Sequence, residues 1–376
     1  MENMDGILDL ALQKIAAFGP RPSASAKERE FLLFLKDALE SFGLTAEMET
    51  FRAPATYTWA YLIFFLGLAQ AELLLPLFPP WSAVSSSVLL ALLYFELATF
   101  PVVSRLFRTR ISGNVTGRNG ESPEIVILAH VDSATPSIFF HPRFVVHPRI
   151  SLVLFILSSG AITGVSILSV FVELAFLHWI TFLPSLYLLF LALGHIHREF
   201  FMVPSPGGND NGSGVATALA IAKILKDEDI PFLVVFTGAE ESGTWGALHL
   251  VARHGKMLRG RPILNLDNIG IGKLIAATRE GMWRVYNASE ELLEEIRRED
   301  ISFLSFRPYL GLSTDATPLL ARGFRALTLI ALGENGLPVH WHWHTDTVEN
   351  VDKGNLEQVV GLVTSWARTK HHGVAP

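Results

Sequence analysis

The chain has 376 residues, 50% of them hydrophobic, a formal charge of -6 and no cysteine, and its mean hydropathy of +0.36 is high for a soluble protein. No run of lysine and arginine is long enough for a phosphate-backbone footprint, so nucleic acid is excluded as an expected partner. Without cysteine there are no disulfides or thiolate ligands, so any metal must sit on His, Asp and Glu; the absence also fits a reducing compartment.

In chain order, the first fifty residues mix charged and apolar side chains and lack the continuous apolar core of a signal peptide, which places this part on the cytosolic side. Apolar residues spaced at three and four predict amphipathic helices over Met4 to Phe18 and Ala24 to Phe42, split by Gly19-Pro20-Arg21-Pro22. Two apolar stretches follow, Tyr57 to Phe78 and Ser82 to Phe107, joined by Pro79-Pro80-Trp81; Ile150 to Val172 and Leu174 to Gly194 repeat the pattern. Each is near the roughly 20 residues that cross a hydrocarbon core, so the expectation is two transmembrane hairpins and four spanning helices. A hairpin returns the chain to its starting side, so the segments flanking both share one face. That face carries Arg52, Arg105, Arg108, Arg110, Arg143, Arg149 and Arg198, whereas the hairpin tips carry only Glu173. By the positive-inside rule the protein is a multi-pass membrane protein with its hydrophilic part in the cytosol. Glu72 and Glu96 fall inside the first hairpin, either as functional groups or as carboxyls paired within the bundle.

Outside the hairpins remain roughly 280 residues, enough for one α/β domain. Its pieces are 1–56 (N-terminal helices), 108–149 and 196–376, interrupted by hairpins at 57–107 and 150–195. Short β-branched runs at 124–129, 231–237, 262–266, 273–277 and 325–331 alternate with helical patterns at 212–226, 244–254, 289–298, 314–322 and 354–368. This predicts a doubly wound, mostly parallel sheet flanked by helices, with its site outside the carboxyl ends of the strands.

Those ends carry chemistry. The first strand delivers His130-Val131-Asp132, an imidazole with a carboxylate two residues on that can orient it. Asp210 sits in the glycine-rich turn Pro206-Gly-Gly-Asn-Asp-Asn-Gly-Ser-Gly214 that opens a helix, and reads either as a carboxylate bridging two ions or as a helix cap. Glu240-Glu241 follows the next strand: one acid can bind metal while its neighbour acts as a general base, although an exposed acidic pair in a loop is the plain alternative. Asp267 closes a third strand. The late segment His340-Trp341-His342-Trp343-His344-Thr345-Asp346 is dense in imidazole, and would otherwise read as an aromatic belt at a membrane interface. Two divalent ions bridged by one carboxylate and one water need about one imidazole and one further carboxylate each, and the set supplies them.

In this order, His-x-Asp, Asp-Asn-Gly-Ser-Gly, Glu-Glu, Asp, His, the chain resembles the co-catalytic di-zinc aminopeptidase family, which also includes glutamate carboxypeptidase II and glutaminyl cyclase. The likeness covers nearly everything outside the hairpins, including Gly19-Pro20-Arg21-Pro22-Ser23. It implies a zinc-exopeptidase fold and two zinc ions, or other divalent metals, with His130 and Asp267 on one, Glu241 and His342 on the other, and Asp210 between them. It also implies Asp132 as the partner of His130 and Glu240 as the general base. His342 is preferred to His344 because the family ligand stands four residues before the Asp of an Asp-Thr pair, here Asp346-Thr347. The implied activity is an exopeptidase, foremost an aminopeptidase, acting on peptides by a hydroxide bridging two ions while the chain sits in the bilayer. Alternatives are a glutaminyl cyclase-like transferase and a non-catalytic receptor or scaffold. Thr314-Asp315 and the aromatics around Trp341 are expected to line the cleft.

Overall fold

Met4–Phe18 (α1) and Ala26–Ser41 (α2) turn their apolar stripes inward, and the Ser25 hydroxyl caps α2 by accepting from the Glu28 N–H. These helices open the computed structural model, which describes residues 4–141, 148–172 and 176–373.

Among the described residues a nine-stranded sheet forms the centre. Its order is β1 (Thr45–Ala53), β2 (Arg110–Asn119), β4 (Phe232–Thr237), β3 (Ile125–His130), β5 (Pro262–Asp267), β9 (Arg325–Leu332), β6 (Lys273–Gly281) and β7 (Tyr286–Asn287), with β8 (Ser305–Leu310) also on β6. Strands β4, β3, β5 and β9 run parallel, and β3, β4 and β5 are buried along their whole length, as mostly apolar strands between two helical layers are. The expectation of a mostly parallel sheet is corrected: the sheet is mixed, because β1 on β2, β2 on β4, β6 on β9 and β7 on β6 are antiparallel. The sequence hides β1 and β2. Acids interrupt β1, and glycines in β2 read as turn residues. Gly117 is instead there for close packing: a Cβ on it would lie 2.8 Å from Leu39 Cδ1 of α2 and 3.1 Å from Val234 Cγ1.

One face of the sheet is covered by α1, α2, α7 (Gly214–Asp227), α9 (Glu290–Arg297) and α11 (Lys353–His372), around Leu8, Phe31, Ile221, Leu292 and Val359. The other face packs on α8 (Trp245–Leu258) and α10 (Ala316–Leu320) through Leu250 and Leu319.

The inserted segments form a four-helix bundle of α3 (Thr58–Leu74), α4 (Pro79–Leu97), α5 (Pro148–Leu168) and α6 (Leu177–Phe201). It has its own core, including Phe64, Leu68, Leu93, Ile162 and Leu188, while Leu73, Trp179, Leu183 and Leu193 face outward. Three of these helices are long and apolar enough to cross a membrane. The fourth, α3, has 17 residues, a rise of about 25 Å against a hydrocarbon core of ~30 Å. The expectation of four full-length spans is therefore narrowed to three and a shorter apolar helix. Arg143, Glu173 and Leu174 lie outside the described residues. Inside the bundle, Glu72 stands 2.9 Å from His178 Nδ1, and the Glu96 carboxylate accepts from the backbone N–H groups of Val102, Val103 and Ser104.

Candidate active site

Three adjacent parallel strands place the first side chains. His130 ends β3 and pairs in register with Thr237 at the end of β4, whose continuation brings Glu240 and Glu241; Asp267 ends β5 alongside. The turn at 206–213 delivers Asp210, and the loop after β9 delivers His342. Asn209 and Asn211 pin the turn to the segment after β5: the Gly270 N–H donates to Asn209 Oδ1, the Asn268 N–H to Asn211 Oδ1, and the Asn211 amide to the Leu266 carbonyl. The Gly214 N–H at the start of α7 is also taken by Asn211, which leaves the Asp210 carboxylate free of capping duty.

Asp210 lies between the two imidazoles. His130 Nε2 is 3.2 Å from Asp210 Oδ1 and 3.9 Å from Asp267 Oδ1, while His342 Nε2 is 3.3 Å from Asp210 Oδ2 and 3.1 Å from Glu241 Oε2. These make two trios of metal-type donors that share Asp210, and a third joins His130 with Glu240 and Glu241. His344 is exposed beside Trp343. Behind His130, the Asp132 carbonyl lies 3.1 Å from Nδ1, and the Asp132 carboxylate accepts from the Glu240 and Glu241 N–H groups at 3.0 Å and from the Ser23 hydroxyl at 2.5 Å. Ala239, Asn268 and His342 hold left-handed backbone that L-residues adopt only under constraint; all three lie in site segments.

The electrostatics describe a cluster short of positive charge. Burial pushes Asp267 up to about 7 and raises Glu241, and it lifts Glu240 well above the carboxylate range. Burial would lower His342, but Glu241 and Asp210 outweigh it and bring the imidazole to about 9. Asp210 is held well below its ordinary value because hydrogen bonds from His130 and His342 overcome its burial. The cluster is crowded with acidic groups whose burial disfavours negative charge, and Glu241 Oε1 is buried without a hydrogen-bond partner. Two imidazoles and three carboxylates within reach, one carboxylate common to both sets, fit a pair of divalent ions with nitrogen and oxygen ligands.

Several residues escaped the sequence reading. Fully buried Arg21 donates through Nε to the Val131 carbonyl and through its terminal nitrogens to the carbonyls of Gly19, Pro206 and Gly207, tying the His130 strand to the Asp210 turn. Asp346 accepts from the Asn209 and Asp210 N–H groups. Glu28 accepts from the Ala239 N–H, ahead of the acidic pair. For Arg21 the available signal was its place in Gly19-Pro20-Arg21-Pro22-Ser23, which does not give its role. Thr314 and Asp315 are buried beneath the cleft, Asp315 accepting from the Thr237 hydroxyl, and Leu312 and Ser313 line the cavity in their place, while Trp341 lines it as expected.

The family model described as Peptidase family M28 matches residues 189–367. Aminopeptidase YwaD of Bacillus subtilis (strain 168) is 31% identical over 186 residues, which are 46% of this chain and 39% of that protein, so the chain spans about two fifths of the curated relative it matches. Among solved structures, BSAP, a zinc aminopeptidase from Bacillus subtilis, aligns with a TM-score of 0.58 at 17% identity over 98% of this chain and 95% of that one. Porphyromonas gingivalis glutaminyl cyclase aligns with 0.58 at 15% identity over 98% of each. The chain therefore resembles peptidase family M28 by sequence over residues 189–367 and has the fold of zinc exopeptidases along nearly its whole length.

Proposed function

We propose that this chain is a membrane-integrated, zinc-dependent exopeptidase, foremost an aminopeptidase. The observation that carries the reading is the pair of donor trios sharing Asp210 at the carboxyl ends of β3, β4 and β5. His130 and Asp267 would hold one zinc ion, Glu241 and His342 the other, with Asp210 common to both. Such ions, when bound, polarise a carbonyl and make water a nucleophile near neutral pH. Glu240 is the general base: its carboxyl borders the same cavity as the donors, while Glu241 is engaged with His342. It takes a proton from the attacking water and returns it to the leaving amine. Asp132 sets the imidazole of His130 and, through the N–H groups of Glu240 and Glu241, the direction of the acidic pair.

Three apolar helices and the arginines flanking the bundle support insertion in the bilayer, with the peptidase part cytosolic and interrupted by hairpins at 57–107 and 150–195. Purified in detergent with zinc, the protein should release amino acids from short peptides and lose this activity on chelation. Glu240→Gln should lower kcat by 10²-fold or more, on the order of general-base contributions, with zinc content intact; hydrolysis at the parent rate refutes the assignment. The fold match to a glutaminyl cyclase favours a second reading, tested by offering a peptide with N-terminal glutamine and measuring ammonia against free glutamine.

A further inference from the structure

A cavity of about 720 Å³ begins at the donor cluster and continues without interruption into the helix bundle. At one end it is walled by His130, Asp210, Glu240, Glu241, Asp267 and His342. At the other it is walled by Tyr61 and Phe65 of α3, Leu152 and Phe155 of α5, and Phe190 and Leu191 of α6. The helices are thus a wall of the same cavity that holds the candidate chemistry, and that wall is apolar and aromatic. The volume exceeds what one residue side chain requires and falls in the range that encloses a whole small ligand.

We propose that the bundle end is a substrate subsite for one long apolar chain attached next to the scissile amide, so that the substrate is a lipid-derived amide amphiphile drawn from the bilayer. This rests on the amide-hydrolase reading above. The choice of an alkyl chain over a peptide follows from hydrogen bonding. A peptide threaded between α3, α5 and α6 would bury N–H and C=O groups against helix backbones whose own groups are paired, which is costly; an alkyl chain has none to pair. Three polar groups at that end are already engaged. The Ser151 hydroxyl is with Tyr187, His195 Nδ1 is with the Leu191 carbonyl, and Glu96 holds three backbone N–H groups. The cluster end takes the polar head with its amide. The reaction remains a hydrolysis: the C–N bond breaks, the hydroxyl of water joins the carbonyl carbon, its proton goes to the amine, and no redox partner is needed.

The test uses the full chain in lipid nanodiscs with zinc, and anilides of α-amino acids with unbranched side chains from alanine upward to long-chain α-amino fatty acids. The expected result is kcat/KM rising about fourfold per methylene until the cavity fills. Leu152→Trp and Leu191→Trp should lower the ratio of long-chain to alanine kcat/KM at least tenfold. In a second readout, independent of turnover and of metal, a long-chain α-amino amide with a terminal diazirine should crosslink to residues of α3, α5 and α6. A rate flat with chain length, a preference for peptides with several apolar leading residues over the long-chain amides, or crosslinks confined to the outer helix faces would overturn the proposal. Hydrolysis of alanine anilide with a flat chain-length series sinks the subsite alone. Crosslinking inside the cavity without hydrolysis of any amide supports the subsite and sinks the peptidase reading.

Discussion

Replacing Arg21 by methionine tests how the candidate site is held. Its guanidinium is fully buried and donates to four backbone carbonyls, at 2.9 Å to Val131, 2.6 Å to Gly19, 3.0 Å to Gly207 and 3.3 Å to Pro206, and it lies 4.9 Å from the Phe31 ring centroid. Burial lowers it only to about 10, so it stays a cation at neutral pH. Bonds from a charged donor contribute ~1.5–3 kcal/mol each, and a carbonyl left buried without a partner costs ~1–3 kcal/mol. Because the guanidinium is desolvated and the bonds are not additive, the net loss should be about 3–5 kcal/mol, the scale on which removing one member of a buried charged set acts. Lysine keeps the charge but cannot reach Val131 and Gly207 together, so Arg21→Lys should fall between methionine and the parent. Thermal unfolding in nanodiscs, with and without zinc, measures the first effect. Metal titration measures the second: Val131 and Gly207 flank His130 and Asp210, so zinc should bind ~10–100-fold more weakly, as when groups supporting a ligand are removed. If Arg21→Met unfolds within about 1 kcal/mol of the parent and binds zinc equally, Arg21 is not the clamp described.

Glu28 gives a pH signature. Burial, and then Asp132, raise it from 4.5 to about 8, so the folded state keeps a proton that the unfolded state gives up; stability should be lost as pH rises from about 4.5 toward 8. Glu28→Gln, neutral and still able to meet Ala239 and Ser112, should flatten that slope in thermal unfolding; an unchanged slope refutes it. Gly117→Val should cost ~1–3 kcal/mol by forcing Leu39 and Val234 apart, read as a lower midpoint in chemical denaturation. Because the chain has no cysteine, single cysteines report sidedness directly. A maleimide that cannot cross membranes should label Leu77→Cys at the first hairpin tip in intact cells and Glu121→Cys only after permeabilisation, and the reverse pattern inverts the proposed topology.

What was legible in the sequence divides along physical lines. His130, Glu240, Glu241 and Asp267 could be placed because each ends or follows a short, mostly apolar strand, and the ends of parallel neighbours converge whatever the loops do. Long apolar helices announce themselves by length. Strands β1 and β2 were hidden because one carries acids and the other glycines, and the reason for a glycine at 117 in β2 lies in Leu39 of α2, far away in sequence. The same holds for the residues that hold the site. Arg21 acts on carbonyls more than a hundred positions away, and Asp346, which in the sequence only marks the spacing to His342, receives two N–H groups from the Asp210 turn. Contacts to backbone atoms leave no residue pattern to read.

The bundle is joined to the sheet domain by a second buried arginine, and this joint decides whether the inserted helices can shape the site. Arg198, near the end of α6, donates to the hydroxyls of Thr56 and Thr58 at the start of α3 and to the carbonyl of Thr135, five residues beyond His130; its guanidinium lies 4.4 Å from the Tyr57 ring centroid. Beside it, Ser205 and Ser133 stitch the segment leaving α6 to the one leaving β3: the Ser133 hydroxyl donates to the Ser205 carbonyl, and the Ser205 N–H donates to the Ala134 carbonyl. A side chain joining both helix ends to the His130 loop is a physical path from the bundle to the donor cluster. If the helices were only an anchor, Arg198→Met would lower thermal stability and leave zinc affinity alone. Because the joint reaches the loop, Arg198→Met should weaken zinc binding as well, by about tenfold or 1.4 kcal/mol. Thr58→Val, which removes only the helix side of the joint, should share part of that loss in a double-mutant cycle. Additive effects on zinc affinity would show that helix bundle and site are energetically independent.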